Sequence, residues 1–322
     1  MNRRTLLVGT GATVTSVLGG CLSNDNESDS SANPEGSTAN NEALNEAYDH
    51  LETAGNEFET QADVAFETEP ENPLSTSGIE TALKNVESAL DDVNENEASD
   101  EQLDRLENAE YALAFFEDGL SVLVELEEGF NAWKTADSYE TNDRHSDAAD
   151  QIKTAAEHFR EAESLVSDTK ASWDELDADQ FESKDVELAT ESDDLDYLEE
   201  LCNAYARFSE ATADLFTGLE YFVEGSDLFG QERFNAAASA FEDAANSFEA
   251  ANNKYREAET EMPQSFRKEF IDQTCRTDAV LEASNLFTEA SEAAAEGDWE
   301  TAEEKANKAE TALDVSCGGE TL

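Results

Sequence analysis

Basic side chains are scarce in this chain: 19 Lys and Arg stand against 78 Asp and Glu in 322 residues. The formal net charge of −59 leaves no clustered cations to neutralise phosphates, so no nucleic-acid partner is expected. Proline is confined to Pro34, Pro70, Pro73 and Pro263, which leaves long segments free of helix breakers. Alternating β-rich stretches are missing, as is any apolar run long enough to span a bilayer. The four cysteines include no C-x-x-C pair, so zinc-ribbon and thioredoxin-type sites lack their motif. None of His50, His145 and His158 belongs to an H-E-x-x-H or E-x-x-H pattern, which leaves zincin and di-iron chemistry unsupported. No nucleophile elbow occurs either. A calcium loop read from Asp92 fails twice, because Glu97 stands where glycine is required and Leu103 where a bidentate Glu belongs. No catalytic residue, cofactor or metal ligand is therefore expected, and the chain is read as a non-enzyme.

The acidic residues are spread along the chain and interleave with periodic Leu, Val, Ala and Phe. With 17 Phe, seven Tyr and three Trp, the composition supports a core and argues against wholesale disorder. Such self-repulsion is tolerable in molar salt, where screening acts within about 3 Å. A folded, halophile-type acidic surface is expected, binding Na⁺, K⁺ or Mg²⁺ only loosely.

The N-terminus reads MNRRTLLVGTGATVTSVLGGC. Arg3 and Arg4 precede an uncharged, moderately apolar stretch ending in Leu18, Gly19, Gly20 and Cys21, too short and too weakly apolar for a spanning helix. This resembles a twin-arginine (Tat) secretion signal joined to a lipobox, as in haloarchaeal lipoproteins. The resemblance implies cleavage before Cys21, a lipid on its sulfur and a location on the outer side of the cell membrane. Residues 1–20 are then the signal peptide. Residues 21–41, rich in Ser and Asn, read as a disordered tether. The tether carries the one N-x-S/T sequon, at Asn26, a glycosylation acceptor or a chance match.

From residue 42 to 317 the pattern is helical. Helices are expected at about 42–67, 77–97, 100–138 (capped by Ser99 or Asp100), 143–170, 193–229, 231–260, 266–296 and 298–315, with halves at 42–170 and 193–317. Five of them carry large and small residues in turn at offsets 0, 3, 7, 10 and 14. Examples are Phe234, Ala237, Phe241, Ala244, Phe248 and His145, Ala148, Ile152, Ala155, Phe159. The same spacing gives Ile79 to Val93, Trp299 to Leu313 and Leu44 to Phe58. Small positions permit close helix approach. The Phe residues of the sixth helix are expected to meet Phe208, Leu215, Leu219 and Phe222. Residues 144–162 also match 233–251 at offset 89, with Gly129 and Gly218 extending the match; duplication and shared packing constraints both account for it.

The fold class is thus all-α, with antiparallel α-hairpins forming a helical array or elongated bundle. The run Tyr221, Gly225, Leu228, Phe234, Ala237, Phe241, Ala244 resembles the tetratricopeptide (TPR) pattern, and Gly297-Asp298-Trp299 with Ala302, Ala306 and Ala309 resembles part of a second repeat. The 65-residue interval departs from the family's 34. The resemblance implies a TPR-like surface that binds segments of a protein partner of unknown identity. The alternative is a solute-binding or transporter-accessory lipoprotein. An exported compartment permits disulfides. A hairpin turning near Gly297 brings Cys275 and Cys317 to one end, which favours that pair and leaves Cys202, also near that end, buried and free.

Overall fold

A computed structural model describes residues 37–66, 75–176, 188–261, 264–314, 316–317 and 320–321. Among these, the fold is all-helical apart from a two-residue antiparallel pairing: α1 (Thr38–Phe66), α2 (Ser77–Asp91), α3 (Asp100–Glu140), α4 (His145–Asp174), α5 (Leu188–Gly230), α6 (Phe234–Glu261), α7 (Gln264–Glu296) and α8 (Trp299–Leu313), then β1 (Ser316–Cys317) and β2 (Glu320–Thr321).

Packing divides the chain into two compact units that differ from the expected halves 42–170 and 193–317. One holds residues 128–160 with those from 203 onward; the other holds residues up to 127 with 161–202. The helices α3, α4 and α5 are long enough to contribute to both, with 41, 30 and 43 residues.

In the second unit the core joins Leu51, Phe58, Ile79, Val86, Phe115, Phe116 and Trp173. The Phe115 ring lies 5.3 Å from Phe116 and 5.1 Å from Trp173. Two boundaries here correct the sequence reading. The tether expected to reach residue 41 gives way to α1 at Thr38, because Asn40 and Asn94 clamp one another. The Asn40 side-chain amide donates to the Asn94 carbonyl at 3.0 Å, and the Asn94 backbone N–H donates back to Asn40 Oδ1 at 3.0 Å. Gln102 adds bonds to the Ser37 carbonyl at 3.0 Å and to Asn41 Oδ1 at 2.8 Å. The second correction is α2, expected to run to residue 97. It stops at Asp91, since Asn94 instead caps a separate 3₁₀ turn over Glu95–Glu97. Ser99 caps α3 through a reciprocal box with Gln102: Gln102 N–H donates to Ser99 Oγ at 3.3 Å and Ser99 N–H to Gln102 Oε1 at 3.1 Å.

The first unit is built on three hairpins that close in the same way. The turn after α3 puts Asp143 at φ 56°, that after α5 puts Glu232 at φ 61°, and that after α7 puts Gly297 at φ 81°. In each, the next residue's N–H reaches back five residues: Arg144 to Tyr139, Arg233 to Leu228 and Asp298 to Ala293, all at 2.9 Å. The left-handed residue itself bonds three back, at 3.0, 3.0 and 3.1 Å. These are Schellman closures. Only the third uses glycine; Asp143 and Glu232 accept the left-handed strain that a side chain brings.

The large–small faces are the buried faces. In α6, Ala237, Phe241, Ala244 and Phe248 are all buried, as are Ala148, Ile152, Ala155 and Phe159 in α4. Each Phe edge is seated on a glycine of the preceding helix. A Cβ added at Gly129 would lie 2.6 Å from the Phe159 ring, at Gly218 2.5 Å from Phe248, and at Gly225 2.8 Å from Phe241. Close approach, rather than backbone freedom, is what these glycines supply. At the corresponding positions of the third hairpin, buried Ala283 and Ala290 stand on α7, with Leu313 and Ala306 on α8. As the small side grows by a methyl, the large side shrinks. The offset of 89 residues therefore coincides with a repeated turn and a repeated Gly–Phe seat.

Candidate functional site

Polar groups inside the first unit are largely committed to holding helices together. The Trp133 indole donates to Ser209 Oγ at 2.8 Å, and that hydroxyl donates to the Tyr205 carbonyl at 2.7 Å. Around them Trp133 meets Phe159, Tyr205 and Phe208 edge-on, with centroids 5.5 to 5.9 Å apart. Thr212 donates to the Phe208 carbonyl at 2.8 Å and so accepts from the Tyr255 hydroxyl at 2.8 Å. Burial raises the Tyr255 phenol well above its ordinary range, which keeps it neutral. These are structural networks, and no reacting group in them reaches water.

Aromatics gather at the hairpin tips, half-buried at Phe229 and Phe234 and exposed at Trp299. Phe229 ends α5, Phe234 starts α6 and Trp299 starts α8. Phe234 lies 5.3 Å from Phe229 and 5.5 Å from Trp299, and Trp299 is 60% exposed. Asp298 fixes the start of α8, accepting from the Thr301 N–H at 3.2 Å and its hydroxyl at 2.8 Å; these bonds hold its carboxyl below the usual range. At the α3–α4 tip the Arg144 guanidinium sits 4.2 Å from the centre of the Tyr139 ring. An exposed aromatic edge of this kind offers contact to apolar or cationic side chains.

Carboxylates crowd along α3 in the second unit. Partial burial, then the neighbours Glu95 and Glu107, raise Glu110; burial, then Glu87 and Asp118, raise Glu117; burial, then Asp168, raise Asp118. Crowding is electrostatic and not coordinative: among the described residues no group of three His, Cys, Asp or Glu is placed to hold a metal ion.

Of the residues singled out from sequence, Arg3, Arg4, Leu18, Gly19, Gly20, Cys21 and Asn26 lie outside the described residues. The sulfurs of Cys275 and Cys317 are bonded at 2.03 Å, tying α7 to β1 across 42 residues. Cys202 is buried, and burial pushes its thiol well up, which leaves it unreactive. His145 and His158 share α4 and stand 13 residues apart, about 20 Å along the axis; His145 is buried and His158 half-buried. His50 lies 3.8 Å from Glu46 on the same helix. That spacing keeps the two histidines of α4 from sharing one site. Comparison with protein-family models, curated proteins and solved structures gives no match.

The partners foreseen for α6 are met in part. Phe241 packs on Phe222 at 5.4 Å and stacks on Phe287 at 5.1 Å. Phe208 instead meets Tyr255 at 5.5 Å and Phe270 at 5.2 Å, because Phe248 is spent on the notch at Gly218. Trp133 was not visible as a core hub from sequence. Its signal, a Trp four residues past Gly129 on an apolar face, has meaning only once α5 is placed beside it.

Proposed function

We propose that the protein is a lipid-anchored, non-catalytic interaction scaffold on the outer side of the cell membrane, its hairpins forming a TPR-like array with an acidic, salt-adapted surface. The observation that carries this reading is the N-terminal succession Arg3-Arg4, an uncharged apolar stretch, and Leu18-Gly19-Gly20-Cys21. The three matched hairpins and the exposed Trp299 beside Phe234 support the scaffold part. Among the described residues no helix is long and apolar enough to cross a membrane, so on this reading attachment rests on the Cys21 lipid.

Fractionation of cells in high salt tests it. Cys21→Ser should move the protein from the membrane to the soluble fraction, and Arg3→Lys with Arg4→Lys should hold an uncleaved precursor in the cytoplasm. A Cys21→Ser protein that stays with membranes refutes the anchor. Crosslinking and co-purification from membranes in high salt should then recover a stoichiometric protein partner; recovery of the chain alone refutes the scaffold.

A further inference from the structure

We infer that the unit made of residues up to 127 with 161–202 is the more salt-dependent part of the fold, opening at a higher ionic strength than the other unit as salt is diluted. Residues 37–127 and 161–202 hold 41 acidic and four basic side chains, a net of −37. Residues 128–160 and 203–322 hold 33 acidic and 13 basic, a net of −20. The more acidic unit is also the shorter of the two, so its charge density is about twice as high.

Placement of the cations sharpens the contrast. In the less acidic unit a bridge joins each successive pair of helices from α4 to α8. Arg160 of α4 meets Glu210 of α5 at 3.1 Å, Lys254 of α6 meets Asp214 of α5 at 2.7 Å, Arg256 of α6 meets Asp278 of α7 at 2.6 Å, and Lys305 of α8 pairs with Glu289 of α7. The disulfide closes the same unit. In the more acidic unit Lys170 of α4 pairs with Asp196 and Glu199 of α5. Around α3, by contrast, like charges face one another: Glu95 and Glu107 toward Glu110, Glu87 toward Glu117, Asp168 toward Asp118. Screening reaches about 3 Å at 1 M salt and about 10 Å at 0.1 M. Dilution therefore switches on repulsion among these carboxylates, whereas in the other unit attraction between bridged charges grows with it.

Hydrogen exchange with mass spectrometry on the mature full chain, stepped from about 3 M to about 0.1 M KCl, reads the two units separately. Peptides from α2 and the first turns of α3 should lose protection at a salt concentration at least about twofold above that for α6 and α7, an interval over which the screening length changes about 1.4-fold. The triple variant Glu110→Gln, Glu117→Gln, Asp118→Asn should lower the first midpoint and leave that of α6 and α7 in place. A common midpoint, earlier loss in α6 and α7, protection retained throughout, or a triple variant that shifts nothing each overturns the inference. The anchor stands or falls on Cys21 and is untouched by either result.

Discussion

Replacing Gly218 by alanine adds one methyl group in the middle of α5, where helix propensity alone would stabilise the chain by about 0.8–1 kcal/mol. The structure reverses that sign. The new Cβ would stand 2.5 Å from two carbons of the Phe248 ring, against a favourable carbon–carbon separation of about 3.5–4 Å. The ring must therefore retreat by about 1 Å, yet Phe248 is fully buried and has no free volume to enter. Overpacking of this kind costs about 1–3 kcal/mol, so the net effect is a loss of up to about 2 kcal/mol. For a chain of this size that is a fall of up to about 8 °C in Tm. Gly230, at the end of the same helix, has nothing within 4 Å of its added Cβ. Gly230→Ala should raise Tm slightly. Thermal unfolding followed by far-UV circular dichroism in high salt compares the two. Adding Phe248→Leu to Gly218→Ala should recover part of the loss through coupling between touching sites. Gly218→Ala raising Tm as Gly230→Ala does would falsify the seat.

Four further outcomes are expected. Reducing the Cys275–Cys317 bridge opens a 42-residue loop, which should cost about 4 kcal/mol in the loop-entropy treatment, read as a lower denaturant midpoint with unchanged slope. Phe241→Ala, at a fully packed site, should cost about 3–5 kcal/mol, while Trp299→Ala, at a 60% exposed one, should cost under about 1 kcal/mol. Glu232→Gly should stabilise by about 1 kcal/mol, because glycine carries no penalty at the φ of 61° held there. Acidification should stabilise the α3 region in low salt. Glu110, Glu117 and Asp118 are raised in the folded state, so the native form binds more protons than the unfolded one and stability falls as pH rises through that range. Tm at low salt should rise as the pH is lowered from neutral toward the ordinary carboxylate range; a flat profile refutes the crowding.

Among the described residues helix number and type were legible because good helix formers dominate and proline is confined to breaks. The Cys275–Cys317 geometry follows from one turn, at Gly297, whose glycine is visible in sequence. The Asp143 and Glu232 turns carry no such marker, since their left-handed residues are acidic; only alignment with the third turn exposes them. Asn40 and Asn41 read as tether because amides favour loops, yet in place Asn40 satisfies both backbone groups of Asn94, 54 residues on, and Asn41 Oδ1 accepts from Gln102, 61 residues on. The expected halves 42–170 and 193–317 fail for a related reason: chain order says nothing about which stretch of a 41-residue helix packs with which neighbours. Candidate chemistry was the least legible part, since the leader that carries the functional reading lies outside the described residues.

The recurrence of one closure and one Gly–Phe seat has a consequence for how this chain can vary. Gly218 and Gly225 are seven residues apart, as are Phe241 and Phe248, so the two helices interlock at two teeth and in one register. Sliding by a turn would drive a ring against a branched side chain. Length changes are therefore tolerated beyond the teeth or outside the hairpin, not between tooth and turn. Residues 139–148 and 228–237, alike in length and closure, become exchangeable parts: a chain in which each carries the other's sequence should keep both hairpins in register.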